Sequence, residues 1–261
     1  YRILDIYEKF CLQEAAIPAL KGIKSETERF PGAQMTTSIE AMMWDKRALQ
    51  SGTSHYFGQN VAKAFEIQYL DTNNTLRFCE TTSWAISSRI IGALIMVHGD
   101  DQGLVLPPRL APIQAVIVPI YKTPEEKAKV MEVADRIFKE LKAAGIRLKM
   151  DDRDNVSSGF KFNDWEMRGV PVRIEVGPKD VEKGSVALAR RDKPGREGKT
   201  FVPQAGLDST VSLLLSEIQD SLLKRATEYR DANIHDPKDY EELKKVVQNG
   251  WALSYWCESR E

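Results

Sequence analysis

The stretch QAVIVPIYKTPEEKAKVMEVADRIFKELKAAGIRLKM, residues 114–150, reads as strand, helix, strand. Gln114 to Ile120 is a nearly continuous apolar run, as expected of a strand buried on both faces. Thr123-Pro-Glu-Glu126 is a capping box with proline at the first helical position. Behind it, Val130, Ala134, Ile137 and Leu141 recur on one helical face, and the helix stops at Gly145. Ile146 to Met150 is the next strand, and Asp151 to Gly159 a polar loop. Phe160 to Arg168 is a short helix. Three strands follow, Pro171 to Val176, Ser185 to Arg190 and Thr200 to Val202, with Pro194 to Gly198 turning the last pair. A long helix from Leu207 to about Tyr229 closes a mixed α/β layer domain.

Upstream, Ile3, Ile6, Tyr7 and Phe10 mark an amphipathic helix at the first residues, and a Gly- and charge-rich loop follows. Glu66 to Leu70 and Thr75 to Cys79 read as strands around the turn Asp71-Thr-Asn-Asn74. Trp84 to His98 is helical by period, with Ile86, Ile90, Leu94 and Ile95 on one face, and ends in the turn cluster Gly99 to Gly103. Leu104 to Leu106 reads as a short strand. Pro107-Pro-Arg-Leu-Ala-Pro112 forbids helix and reads as a linker. Asp236-Pro237 reads as the cap of a last charged helix, and Gly250 to Trp256 alternates like a strand.

The 261 residues carry a net charge of -1, so contact with a nucleic acid would be local rather than driven by overall charge. Three cysteines, Cys11, Cys79 and Cys257, are too few and scattered for a disulfide framework, which favours a reducing cytoplasm. No apolar run approaches the ~20 residues that cross a bilayer.

Three segments hold chemistry. Gln50-Ser-Gly-Thr-Ser-His-Tyr-Phe-Gly-Gln-Asn60 reads as a loop of small polar side chains around two glycines. His55 and Thr53 there would bond a bound amine or carboxylate, or form a plain surface loop with a satisfied histidine. Arg89 lies among apolar residues and needs an anion, either a phosphate held bidentately or a structural carboxylate. Asp151 to Asp154, Gly159 to Gly169 and Arg173 to Asp180 mix aromatics with charged side chains. That mixture suits stacking and edge reading of single-stranded RNA, or equally a helix with core aromatics and a solvated face.

Together these segments resemble the class II aminoacyl-tRNA synthetases, specifically the prolyl-tRNA synthetases of the archaeal and eukaryotic type. Ile39 to Met43, Ala48 to Gln50, Gly52 to His55, Gly58 to Asn60 and Lys63 to Phe65 resemble the proline-binding loop of that family. Thr82 to Trp84, Ser88-Arg89 and Ile91 to Asp100 are similar to its motif 3, and Gly103 to Pro112 to its bridge into the next domain. The implied architecture is α/β (α+β): residues 1–110 the C-terminal part of an antiparallel-sheet catalytic domain, residues 111–230 a mixed five-stranded anticodon-binding domain, and residues 231–261 the start of a zinc-type domain. The resemblance implies a proline–tRNA ligase, whose partners are L-proline, ATP with Mg2+, and tRNA(Pro), with no DNA and no membrane. Gln50 and Thr53 would face ATP, and His55 the proline. Trp84 would wall the pyrrolidine pocket. Ser87 and Arg89 would meet the nucleotide, His55 and Arg89 carrying the catalytic weight. Ala85 stands where the family usually has glycine. Phe162, Glu166, Arg173, Lys179 and Asp180 would meet the two anticodon guanines.

The resemblance also places motifs 1 and 2, and with them most of a homodimer interface, ahead of Tyr1. The chain thus reads as a fragment, poorly active or inactive alone, and lacking the large editing insertion of the bacterial type. Cys257 would begin a structural Zn2+ site in the parent, with too few ligands here to bind metal. A threonyl or glycyl synthetase, or a paralogue without activity, fits the Gly52-Thr-Ser-His55 loop and intact Gln50, Thr53, His55 and Arg89 less well.

Overall fold

The structure is a computed structural model and describes residues 2–193 and 195–256. These group into two compact units, one of residues 2–13, 17–97 and 226–256, the other of residues 14–16, 98–193 and 195–225. The first begins with α1 (Arg2–Gln13), β1 (Leu20–Ile23), β2 (Met35–Met42) and β3 (Ala48–Gly58). It continues with α2 (Asn60–Ala64), β4 (Gln68–Leu70), β5 (Leu76–Phe78), β6 (Thr81–Ile86) and α3 (Arg89–His98). The strands form a four-stranded antiparallel sheet in the order β1-β2-β3-β6, with β4 and β5 as a separate hairpin. Leu4, Tyr7 and Cys11 are the buried side of α1, which packs on β2 and β3.

Several elements differ from the sequence reading. Residues 48–58 are a central strand rather than a loop, hydrogen-bonded to β2 on one side and β6 on the other. Its small polar residues suit the sheet because one face meets a helix and the other an open cleft. Trp84 to Ile86 are also strand, so the helix begins only at Arg89. Leu20–Ile23 is a strand inside the expected loop, whereas residues 104–106 are not in a strand.

In the second unit come β7 (Ala115–Pro119), α4 (Pro124–Ala143), β8 (Leu148–Met150), α5 (Ser158–Met167) and β9 (Val172–Val176). After them lie α6 (Pro178–Lys183), β10 (Ser185–Arg190), β11 (Lys199–Pro203) and α7 (Leu207–Ala232), whose last residues group with the first unit. The five-stranded sheet has the order β11-β10-β9-β7-β8, with β7 parallel to β8 and β9, and β10 antiparallel to its neighbours. This is the mixed sheet that the strand–helix–strand pattern predicts. Its core lies between the sheet and α4 with α7, where Val130, Ile137, Ile174, Leu188, Ile218 and Leu222 are almost wholly buried. Thr123 caps α4: its hydroxyl accepts from Glu126 N, and the Glu126 carboxylate accepts from Thr123 N. On the opposite face Val116 and Val118 pack with Trp165, Val170 and Phe162.

The chain continues as β12 (Ile234–His235), α8 (Tyr240–Val246) and β13 (Trp251–Ala252). The cap of α8 is Asp239, which accepts from Glu242 N, rather than Asp236. β13 keeps only two of the residues read as a strand. Cys257 lies outside the described residues.

Candidate active site and nucleic-acid interface

The pairing register fixes which side chains share a face of the first sheet. Thr36 is opposite His55, Ser38 opposite Thr53, and Glu40 opposite Gln50, while Ile39 pairs with Gly52. Ser51 is therefore an extra residue, a bulge that brings Gln50 back to the face of Thr53 and His55. The other face belongs to α1. A Cβ on Gly52 would stand 3.0 Å from Tyr7 Cδ2 and 3.2 Å from Ile39 Cγ1, so helix and sheet meet closely enough that a methyl group there would push on both side chains.

Above the polar face is a cavity of about 470 Å³, with Gln50, Thr53, His55, Ser87 and Arg89 in its lining. The structure thus gathers five of the expected residues around one space. Trp84 is not among the lining residues. It pairs with Ser54, on the face away from His55, is half exposed, and donates from Nε1 to Thr82 Oγ1 at 3.2 Å. Ala85, opposite Thr53, turns its methyl group to the cavity instead.

His55 is held at Nδ1, 3.0 Å from Thr36 Oγ1. That hydroxyl also accepts from Phe30 N at 3.1 Å. We assign its proton to His55 Nδ1, which leaves Nε2–H as the ring's donor. The Phe30 ring lies 4.7 Å from the imidazole, centroid to centroid. Burial lowers the His55 pKa and favours the neutral ring.

Ser87 links β6 to α3. Its N and Oγ both donate to Ser51 O, at 2.8 and 3.3 Å, and its Oγ accepts from Arg89 N. Arg89 thereby starts α3 with an exposed guanidinium that has no carboxylate partner among the described residues. The sequence argument from burial does not hold for Arg89, and the alternative of a structural salt bridge is not what the structure contains. Three features were not singled out in the sequence. Arg29 and Phe30 line the same cavity from the segment before β2, and Ser51 borders it, with an Oγ that is buried and has no hydrogen-bond partner among the described residues. Arg29 sat in a charge-rich stretch with no period to mark it, and Ser51 is exceptional only through its bulge.

In the second unit, α5 lies over the sheet face that carries Arg173. Arg173 Nη1 donates to Glu166 Oε1 at 2.6 Å, and its guanidinium carbon lies 4.1 Å from the centroid of Phe162. Phe162, Glu166 and Arg173 are therefore one cluster. Lys179 and Asp180 lie on α6, and no hydrogen bond or ring contact joins them to it among the described residues. Lys179 is exposed, while Asp180 Oδ2 accepts from Gly177 N at 2.9 Å and caps its own helix. Beneath α5, Asp151 is buried. Burial would raise its pKa, but bonds from the Arg153 guanidinium and the Trp165 indole bring it down to about 2.

Residues 114–202 match a family described as the anticodon binding domain. The chain is 55% identical over 257 residues to the proline–tRNA ligase of Roseiflexus castenholzii, covering 98% of this chain and 53% of that protein. It is 48% identical over 262 residues to the chloroplastic/mitochondrial proline–tRNA ligase of Arabidopsis thaliana, covering 99% of this chain and 48% of that protein. A crystal structure of prolyl-tRNA synthetase from Cryptosporidium parvum, complexed with L-proline and AMP, superposes with a TM-score of 0.88 at 39% identity, over 99% of this chain and 55% of that one. The chain spans about half the length of the curated relatives it matches. Over almost its whole length the chain is similar, in sequence and in fold, to the proline–tRNA ligases.

Proposed function

We propose that the protein to which this chain belongs activates L-proline with ATP and transfers it to tRNA(Pro). The observation that carries this reading is the cavity of the first unit, where Gln50, Thr53, His55, Ser87 and Arg89 converge in a chain similar to a synthetase solved with L-proline and AMP. The proline carboxylate would attack the α-phosphate of ATP, displacing pyrophosphate and leaving prolyl-adenylate. The tRNA terminus would then attack the activated carbonyl and release AMP. No covalent bond to the protein is needed, so positioning and charge stabilisation do the work.

Each side chain has a part in that scheme. Arg89, exposed and without a carboxylate partner among the described residues, would take phosphate charge through its planar fork. Gln50 and Thr53 would face the nucleotide. Neutral His55 would donate from Nε2 to the proline, with Thr36 holding its ring. Because Trp84 lies off the cavity, Ala85 and Phe30 are the better candidates for the wall around the pyrrolidine ring.

Mg2+ would arrive with the nucleotide. The cavity lining holds one carboxylate, Glu28, and no cage of protein ligands, so this chain's residues do not build a site for that ion. A Zn2+ site begun by Cys257, a homodimer and a cytoplasmic setting belong to the same proposal for the longer protein. Its catalytic part would be residues 1–110, its anticodon-reading part residues 111–230, and residues 231–261 the start of a third. In the second part Phe162, Glu166 and Arg173 would meet the anticodon guanines, with Lys179 and Asp180 at the margin.

The test is charging: protein of the relatives' full length, given labelled proline, ATP and tRNA(Pro), is expected to form prolyl-tRNA. Full-length, folded protein that charges no tRNA with proline would overturn the proposal.

A further inference from the structure

Glu175 has a place in the second unit that no role accounts for. It is 3% exposed, in the middle of β9, on the sheet face that carries Arg173. A carboxylate this buried is costly unless it is paired and hydrogen-bonded. Its partners are Arg173, whose Nε donates to Oε1 at 3.1 Å, and Lys199, whose Nζ donates to Oε2 at 2.6 Å. Arg173 in turn donates from Nη1 to Glu166. The result is a chain of alternating charge, Glu166–Arg173–Glu175–Lys199, that crosses from α5 to β11. Its outer members are more accessible: Glu166 is 29% and Lys199 35% exposed at the side chain, against 13% for Arg173 and 4% for Glu175. Ala187 and Ala189, opposite Glu175 and Arg173 on β10, leave room above the strand.

We propose that Glu175 is the positioning residue for base reading by Arg173, an inference that rests on the anticodon reading above. Two of the expected readers, Glu166 and Arg173, are bonded to each other, so a guanine that engages both must loosen that bond. When Glu166 turns to the base, Glu175 still holds Arg173 at Nε and Phe162 still fixes the guanidinium plane. The Nη1 and Nη2 atoms are then presented as a pair, the geometry that matches guanine O6 and N7. Glu175 touches no RNA in this account.

The experiment measures binding of the 261-residue chain to a proline anticodon stem-loop and to the same RNA with both guanines replaced by adenine. Wild type is expected to prefer the guanine RNA. Glu175→Gln is expected to reduce that preference about tenfold or more while binding of the adenine RNA, set by phosphate contacts, stays unchanged. A purely structural role would weaken both RNAs together. Glu175→Gln with Lys199→Gln removes the ammonium left unpaired, and serves if the single variant does not fold. Unaltered preference in a folded variant overturns the positioning role while the anticodon reading stands. Equal binding of both RNAs by wild type overturns both.

Discussion

At Gly52 one methyl group decides how closely α1 approaches the sheet. Gly52→Ala would bring a Cβ to 3.0 Å from Tyr7 Cδ2, overpacking a filled interface. The expected cost is about 1–3 kcal/mol in denaturant unfolding. Gly22→Ala, with nothing within 4 Å of its Cβ, is the control and is expected to change stability little. Residue chemistry was partly legible in the sequence. Arg89 stood out as a cation suited to phosphate, and Thr53 and His55 as donors to an amine or carboxylate, while Gln50 and Ser87 entered through the resemblance alone; all five converge. Trp84 was placed in the pocket by likeness, but strand alternation sends it to the opposite face from His55. Ser51 was invisible because a bulge is a matter of pairing, and pairing partners lie far apart in sequence. The Thr36 to His55 bond was hidden in the same way. Thr36→Val is expected to free the imidazole and raise KM for proline in the full-length enzyme several-fold, with the fold retained; an unchanged KM would remove the holding role from Thr36.

Among the elements, α4 was the most legible, because its start is written in the local sequence. Thr123→Ala removes the hydroxyl that accepts from Glu126 N and is expected to destabilise the chain by about 1 kcal/mol, read as a shift in urea midpoint. No change would mean that the cap is replaced by water. The second unit was more legible because β7 is an apolar run and α4 and α5 start at side-chain caps. The first was less so. Ile86 and Ile90 stand four apart and imitate a helical face, although a strand ends at the first and a helix starts just before the second. Residues 50–58 looked like a loop because Gly, Ser and Thr dominate, yet both neighbours of β3 supply ladder bonds whatever the side chains are. α6, six residues long, has too little period to stand out in the sequence.

For the whole molecule, stability against pH follows from two buried groups in the second unit. His98 is 1% exposed and donates from Nε2 to Ala15 O, while Nδ1 has no partner. Burial lowers its pKa from 6.5 to about 4, and the nearby Arg225 pushes in the same direction. The unfolded chain therefore binds a proton between these values that the folded chain refuses. The His98 contribution is present in full above pH 6.5 and is lost as pH drops toward 4, about 3 kcal/mol at the order-of-magnitude level. His98→Gln is expected to flatten that part of the curve, and an unchanged slope would assign it elsewhere. Asp151 acts lower: its pKa is held at about 2 against 3.8, so its contribution is present above 3.8 and is lost as pH falls through 2.

The claim on which the rest depends is that the cavity of the first unit activates proline. Proline-dependent ATP–pyrophosphate exchange by full-length protein, with and without Arg89→Ala, tests it most directly. The account predicts exchange with proline that falls on the order of 100-fold in the variant, as expected when a preorganised charge partner of the reacting phosphate is removed. Exchange that needs no proline, or that survives Arg89→Ala intact, would contradict it.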